Sequence, residues 1–243
     1  LSSSPIDTVH ISQQGSVGQT RLQASQLGLP MLGGVVAYGR LQNQLAAAVH
    51  AAGIPVLCGQ PMTQVRGLAA YAAAWCGQAL ITAQLVVLAE GGKALQTMLP
   101  QLKAQEKPYA QSALIARVRV SHAQTGVAYE RFTAKGPMAL LPLEGDAYAL
   151  VASVAAVDLP TLLAMPIVDL CQNLQQQFGS RLGDFTHIEG LAHFPLALRA
   201  HHPIVQNRLV LMGNAAQSLH PIAGQGLNLG LRDVADFLTS AAH

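Results

Sequence analysis

The chain has 243 residues, 51% of them hydrophobic and 11% charged, with a formal net charge of +2. That length suffices for one or two domains with a real core, and the high apolar content excludes a disordered chain. No Lys/Arg run gives a nucleic-acid footprint, and no apolar run approaches the ~18 residues of a membrane span.

In chain order, residues 6–11 alternate like a half-buried strand. Gln13-Gln14-Gly15-Ser16 is a turn, and residues 17–22 return as a partner. The spacing of Leu41, Leu45, Ala48 and Val49 predicts a helix over residues 38–52, with Gly53 as its C-cap. Residues 54–57 read as a strand, parallel to others because a helix has brought the chain back to it. Residues 63–68, 70–75 and 79–83 form a small antiparallel meander. Residues 84–89 read as a buried strand ending at Glu90-Gly91-Gly92. Residues 113–154 are β-rich: 114–120, 127–132, 138–143 and 147–154 are strands, and Gly126, Gly136-Pro137 and Glu144-Gly145-Asp146 supply the turns. Consecutive strands of this kind imply an antiparallel sheet. A single helix is expected over residues 159–178, stopped by Gly179, and a last strand covers residues 193–199.

Residues 209–233 carry the most chemistry. An apolar run, Leu209-Val210-Leu211-Met212, is stopped by Gly213-Asn214; an Ala-rich segment leads to Pro221 and to Gly224-Gln225-Gly226. A helix then begins near Leu227, with Leu227, Leu231, Val234 and Leu238 on one face. Gly224 and Gly226 keep side chains away from a helix N-terminus, where N–H groups and the positive end of the helix dipole suit an anion or an electron-rich heterocycle. A ligand-free strand-turn-helix connection is the alternative reading.

The segment Gly213-Asn214-Ala215-Ala216-Gln217-Ser218-Leu219-His220-Pro221-Ile222-Ala223-Gly224-Gln225-Gly226-Leu227-Asn228-Leu229-Gly230 resembles the second flavin-contacting motif of aromatic hydroxylases of the para-hydroxybenzoate hydroxylase class. It is most similar to the ubiquinone-biosynthesis branch of that class. The resemblance implies an α/β (α+β) fold. An incomplete Rossmann-like FAD domain would combine a parallel sheet with a β-meander, beside a substrate domain built on an antiparallel sheet. The FAD domain would take residues 30–103 and 201–243, and the substrate domain residues 1–29 and 104–200. It implies FAD as cofactor, NAD(P)H as reductant, and hydroxylation of a polyprenylated phenol through a C4a-hydroperoxide. A ubiquinone-biosynthesis complex as partner, and a cytoplasmic location at the periphery of the inner membrane, follow from the same resemblance.

The cofactor contacts implied are Gly213, Asn214, Pro221, Gly224, Gln225, Gly226 and Asn228. Amides at 224–226 would stabilise charge on the reduced flavin. Pro221 would line the ring, Asn214 would stand near the ribityl chain in place of the class's Asp, and Asn228 would brace the loop. Glu90 occupies the place of the Asp in the class's Ala-Asp-Gly motif, and Asn43-Gln44 the place of a Gln-Arg pair whose side chains reach the cofactor phosphates; Gln44 keeps an amide there but not a bidentate guanidinium. The first motif of the class, Gly-x-Gly-x-x-Gly on a helix N-terminus, has no counterpart in the sequence. Comparison with the class therefore implies that several tens of residues precede Leu1 and that helices follow His243. On this view the isolated chain binds FAD weakly or not at all.

Other residues have simpler expected roles. His220 braces the loop, Asp233 caps or pairs, Arg232 faces solvent and Trp75 packs in the core or at an edge. His201-His202 lack a third metal ligand. Cys58, Cys76 and Cys171 are far apart and read as reduced thiols. Two rival functions remain open. One is a non-catalytic relative that binds quinone lipid or scaffolds a complex, which Glu90, Asn43-Gln44 and the missing first motif favour. The other is a hydroxylase of small soluble phenols.

Overall fold

Alternating apolar residues and turn glycines set the order of elements. A computed structural model describes residues 2–92, 94–220 and 224–241. From the N-terminus come β1 (Ser4–Ile6), β2 (Thr8–Gln13), β3 (Gln19–Gln23), β4 (Gly33–Val35), α1 (Tyr38–Ala51), β5 (Met62–Gly67), β6 (Ala72–Cys76), β7 (Ala79–Ala83) and β8 (Val86–Leu88). They are followed by α2 (Leu95–Met98), β9 (Lys103–Val120), β10 (Val127–Thr133), β11 (Gly136–Pro142), β12 (Ala147–Ala155), α3 (Leu159–Leu163) and α4 (Ile167–Phe178). The chain closes with β13 (Phe185–His202), β14 (Val205–Gln206), β15 (Leu209–Leu211), β16 (Gln217–Ser218) and α5 (Gln225–Ala241). The fold is mixed α/β, with both parallel and antiparallel strand pairs. Two compact units divide it: Leu1–Ile54 with Ala110–Pro195, and Pro55–Tyr109 with Leu196–His243.

In the first unit the strands run in the order β13-β9-β12-β11-β10-β2-β3. Neighbouring hairpin strands are antiparallel, while β10 and β2 pair in parallel, Tyr129 opposite His10. Alternation carries the burial: Met138 and Leu140 on β11 face inward, as do Leu150, Ala152 and Val154 on β12. Leu170, Leu174 and Phe178 form a helical stripe on α4 that joins these side chains in one core. The single helix expected over 159–178 is two helices, because Pro166 cannot continue the first and instead sits at the N-cap of α4. By contacts α1 clusters with this unit, although the sequence division grouped it with residues 30–103. None of its residues is buried, and Leu45 on its apolar face is exposed.

The second unit holds the β5-β6-β7 meander and a sheet ordered β14-β15-β8, in which β15 runs parallel to β8 with Leu209 opposite Val86. Its core joins Val65, Ala72, Leu88, Leu95, Leu99, Leu209, Leu211 and Ala215. Two expectations are corrected here. Residues 54–57 form no strand: Pro55 has no N–H to give a ladder, no described strand pairs with them, and Ile54, Val56 and Leu57 are exposed. The strand over 84–89 shrinks to 86–88 at the sheet edge, and Val87 is exposed while Leu88 is buried, so only one face is covered. The apolar stripe of α5 is not a core stripe: Leu227, Leu231, Val234 and Leu238 are 60%, 56%, 45% and 61% exposed. Periodicity identifies the helix, but its neighbours decide which side is buried, and α5 packs through a different face.

Candidate functional site

That other face of α5 is where the motif assembles. β15 delivers the chain to Met212, whose N–H donates to the Leu88 carbonyl at 3.0 Å. Gly213 then turns the backbone into the left-handed region, φ 57°, and opens the 3-10 turn Gly213–Ala215. Its N–H donates to Asp233 Oδ2 at 2.9 Å, which ties the turn to α5. A Cβ built on Gly230 would meet Gly213 Cα at 3.6 Å, so helix and turn touch almost backbone to backbone. Asp233 thus pairs, as its place in the motif implies. Asp233→Ala leaves the Gly213 N–H without its charged acceptor and is expected to cost about 2 kcal/mol in chemical denaturation, with Asp233→Asn keeping most of that loss back. Equal stability of Asp233→Ala and the parent would contradict this.

A second tether comes from a residue that the sequence reading weighed only as a metal ligand. His201, at the end of β13, is 1% exposed. Its Nδ1–H donates to the Ala215 carbonyl at 2.9 Å, and its backbone N–H to the Ala216 carbonyl at 2.9 Å. The ring bond needs a proton on Nδ1, because a carbonyl oxygen only accepts. Nothing in the spacing of His201 signals this role; its partner is a backbone oxygen, which has no sequence signature.

The loop after β8 supplies a third. Glu90 Oε1 accepts the Gly92 N–H at 2.8 Å and Oε2 accepts the Ala94 N–H at 3.4 Å. The carboxylate therefore closes its own loop. Gly92 lies against the turn, where a Cβ would stand 2.9 Å from the Asn214 carbonyl oxygen.

The second unit thus brings Glu90, Gly213, Asn214, Gly224, Gln225, Gly226 and Asn228 into one unit. Asn214, Gly224, Gln225, Gly226 and Asn228 are exposed. Positions 224 and 226 face open space among the described residues, none of which a Cβ on either glycine would meet within 4 Å. A shallow cleft lies beside them, lined by Gly213, Gln217, Leu219, Gly226, Leu229, Gly230 and Asp233. Gln44 and Asn43 lie on α1 in the first unit, both exposed. Pro221 lies outside the described residues. His220 packs edge-on against Tyr109, ring centroids 5.2 Å apart, and burial pushes its imidazole below the ordinary histidine value. Trp75 carries the Arg66 guanidinium over its ring at 5.8 Å. Arg232 is exposed. Among the described residues no His/Cys/Asp/Glu cluster could hold a metal, and no helix is long and apolar enough to cross a membrane.

Small residues at a 17-residue helix start, open space before them and a clamped turn beside them fit a flat, electron-rich ring. Comparison with known proteins agrees. A model of the FAD-binding domain family matches residues 62–242. Ubiquinone hydroxylase UbiL of Rhodospirillum rubrum is 36% identical over 155 residues, which cover 64% of this chain and 36% of the relative. The 3-demethoxyubiquinol 3-hydroxylase of Escherichia coli K12 is 35% identical over 158 residues, covering 65% of this chain and 40% of the relative. The chain therefore spans well under half the length of these curated relatives. Klebsiella pneumoniae HpxO, solved with FAD and uric acid, shares the fold at TM-score 0.68 and 16% identity, over 94% of this chain and 61% of that one. Because the family model matches most of the chain, the protein belongs to the FAD-binding domain family, and the proteins it is similar to include ubiquinone hydroxylases.

Proposed function

We propose that this chain forms part of an FAD-dependent, NAD(P)H-reduced monooxygenase that hydroxylates a polyprenylated phenol in ubiquinone biosynthesis. The observation that carries the reading is the open space before Gly224 and Gly226 at the start of α5, next to a turn held from two sides. When bound and reduced, FAD supplies the oxygen-activating chemistry. The chain's own part is positional. Backbone N–H groups at 224 and 226 stabilise negative charge developing on the ring edge, and the α5 dipole adds to them. Asn214, exposed on its turn, hydrogen-bonds cofactor hydroxyls with an amide. Asp233 and His201 hold that turn still, so that little reorganisation accompanies charge development.

A polyprenyl substrate implies contact with a membrane surface, and a biosynthetic complex is the natural setting for its delivery. Alone, the chain holds FAD weakly, since its sequence has no Gly-x-Gly-x-x-Gly cradle for the pyrophosphate. Glu90 favours one rival, a non-catalytic quinone-lipid-binding or scaffold relative, because its carboxylate is engaged by Gly92 and Ala94.

The test is a visible-absorbance titration with FAD. The chain is expected to show weak but saturable binding, and Gly226→Val, which places a branched side chain in the open space, to weaken it at least about tenfold (~1.4 kcal/mol). A stoichiometric yellow preparation would contradict weak binding. Titration curves of parent and Gly226→Val that coincide would sink the cofactor reading itself. NAD(P)H oxidation that rises with a polyprenyl phenol separates the hydroxylase from the scaffold relative, and its insensitivity to small phenols separates it from a soluble-phenol hydroxylase.

A further inference from the structure

His220 has one ring nitrogen with no partner. Its Nδ1 is sealed from solvent and accepts and donates nothing. Buried polar atoms of this kind are rare enough to require a reason. The other nitrogen, Nε2, is not sealed, and makes no hydrogen bond with a described residue. A neutral imidazole carries one proton, which can sit on either nitrogen. On Nδ1 it would be an N–H donor buried without an acceptor; on Nε2 it can be met by water or a ligand. The sealed side therefore sets the tautomer, and Nε2 becomes the donor. Protonating the second nitrogen would place charge where nothing balances it, and burial accordingly lowers the ring's affinity for that proton.

The ring is also held in place. Tyr109, on β9 in the same unit, meets it edge-on at 5.2 Å between centroids. Ser218, two residues earlier, pairs with Arg199 on β13, so the segment leading to His220 is anchored. Leu219, its neighbour, is partly exposed and lines the cleft that Gly226 also lines. A fixed neutral donor with an aromatic wall and an apolar neighbour matches one chemistry, an aromatic ring bearing an oxygen.

We propose that His220 is a ligand-contacting residue whose Nε2–H donates to an oxygen on an aromatic ring bound beside Tyr109. The proposal rests on the reading that this unit takes a flavin and a phenol. Either a carbonyl of the flavin ring or the oxygen of the phenol supplies the acceptor.

The test is nitrogen NMR of the chain labelled at histidine, alone and then titrated separately with FAD and with unsubstituted phenol. The free chain is expected to show His220 neutral, with Nδ1 bare and the proton on Nε2. One of the two ligands shifts the Nε2 signal, and which one identifies the acceptor. His220→Gln, whose side-chain amide can donate from a similar position, keeps affinity for that ligand within about threefold. His220→Phe keeps the ring against Tyr109 without a donor, and weakens binding about tenfold. A proton on Nδ1 in the free chain, an Nε2 signal moved by neither ligand, or a His220→Phe chain that binds like the parent overturns the proposal. FAD absorbance is followed in the same samples. A chain that takes no FAD contradicts the weak binding proposed for it, while the tautomer and the phenol titration still decide the role of His220.

Discussion

Gly67→Ala is expected to cost the second unit about 4 kcal/mol and to remove most of its cooperative unfolding transition. Gly67 ends β5, opposite Ala72 on β6. A Cβ there would stand 1.7 Å from the carbonyl oxygen of Asn207 and 2.9 Å from its Cβ. The obstacle is backbone, so no rotamer change relieves it. Asn207 and Arg208 both occupy the left-handed region, φ 44° and 65°, in the tight turn joining β14 to β15. That turn cannot shift without disturbing β15, whose Leu209 and Leu211 are core residues. β15 in turn delivers Met212 and Gly213 to the site. A single methyl therefore damages both the core and the motif's platform. Thermal unfolding followed by circular dichroism measures the loss. A stability within about 1 kcal/mol of the parent would show that β5 does not press on the hairpin as described.

Gly92→Val is expected to cost about 3 kcal/mol and to weaken FAD binding more than about tenfold. Two effects add. Gly92 has φ 86°, a conformation that strains a β-branched residue. Its Cβ would also sit 2.9 Å from the Asn214 carbonyl oxygen, pushing directly on the turn. Gly91 provides the control. It has nearly the same φ, 89°, but a Cβ there meets nothing within 4 Å. Gly91→Val therefore carries the backbone strain without displacing Asn214. Equal effects of the two substitutions on FAD affinity would mean that the position of the 213–216 turn does not matter for the cofactor.

The sequence made some of this architecture legible and hid the rest for identifiable reasons. The hairpins from β10 to β12 follow from alternation interrupted by Gly136 and by Gly145, because side-chain period and turn chemistry are local properties. The stop at Gly213 and the start of α5 are local too; the helix begins at Gln225, two residues before the expected Leu227, and Gly213 makes its turn in the left-handed region. Burial is not local. Leu231 and Leu238 repeat as a core stripe would, yet stay more than half exposed, because no described element covers that face. Residues 54–57 are apolar enough for a strand and lack a partner among the described strands. The break at Pro166 was readable, since proline interrupts a helix by its own chemistry, but the apolar period on either side of it masked the signal. His201 and Gly67 matter only through backbone oxygens far away in sequence, Ala215 and Asn207, and no motif announces such contacts. The candidate site was legible where residues touch in sequence and silent where they meet only in space.

Amide NMR of the chain during an FAD titration tests the central claim most directly. The account predicts that the largest shifts fall on the N–H groups of Gly224 and Gly226, with Gly213 following as its turn feels the ring. Unmoved Gly224 and Gly226 signals, with the largest shifts in residues 1–54 or 110–195, would contradict it.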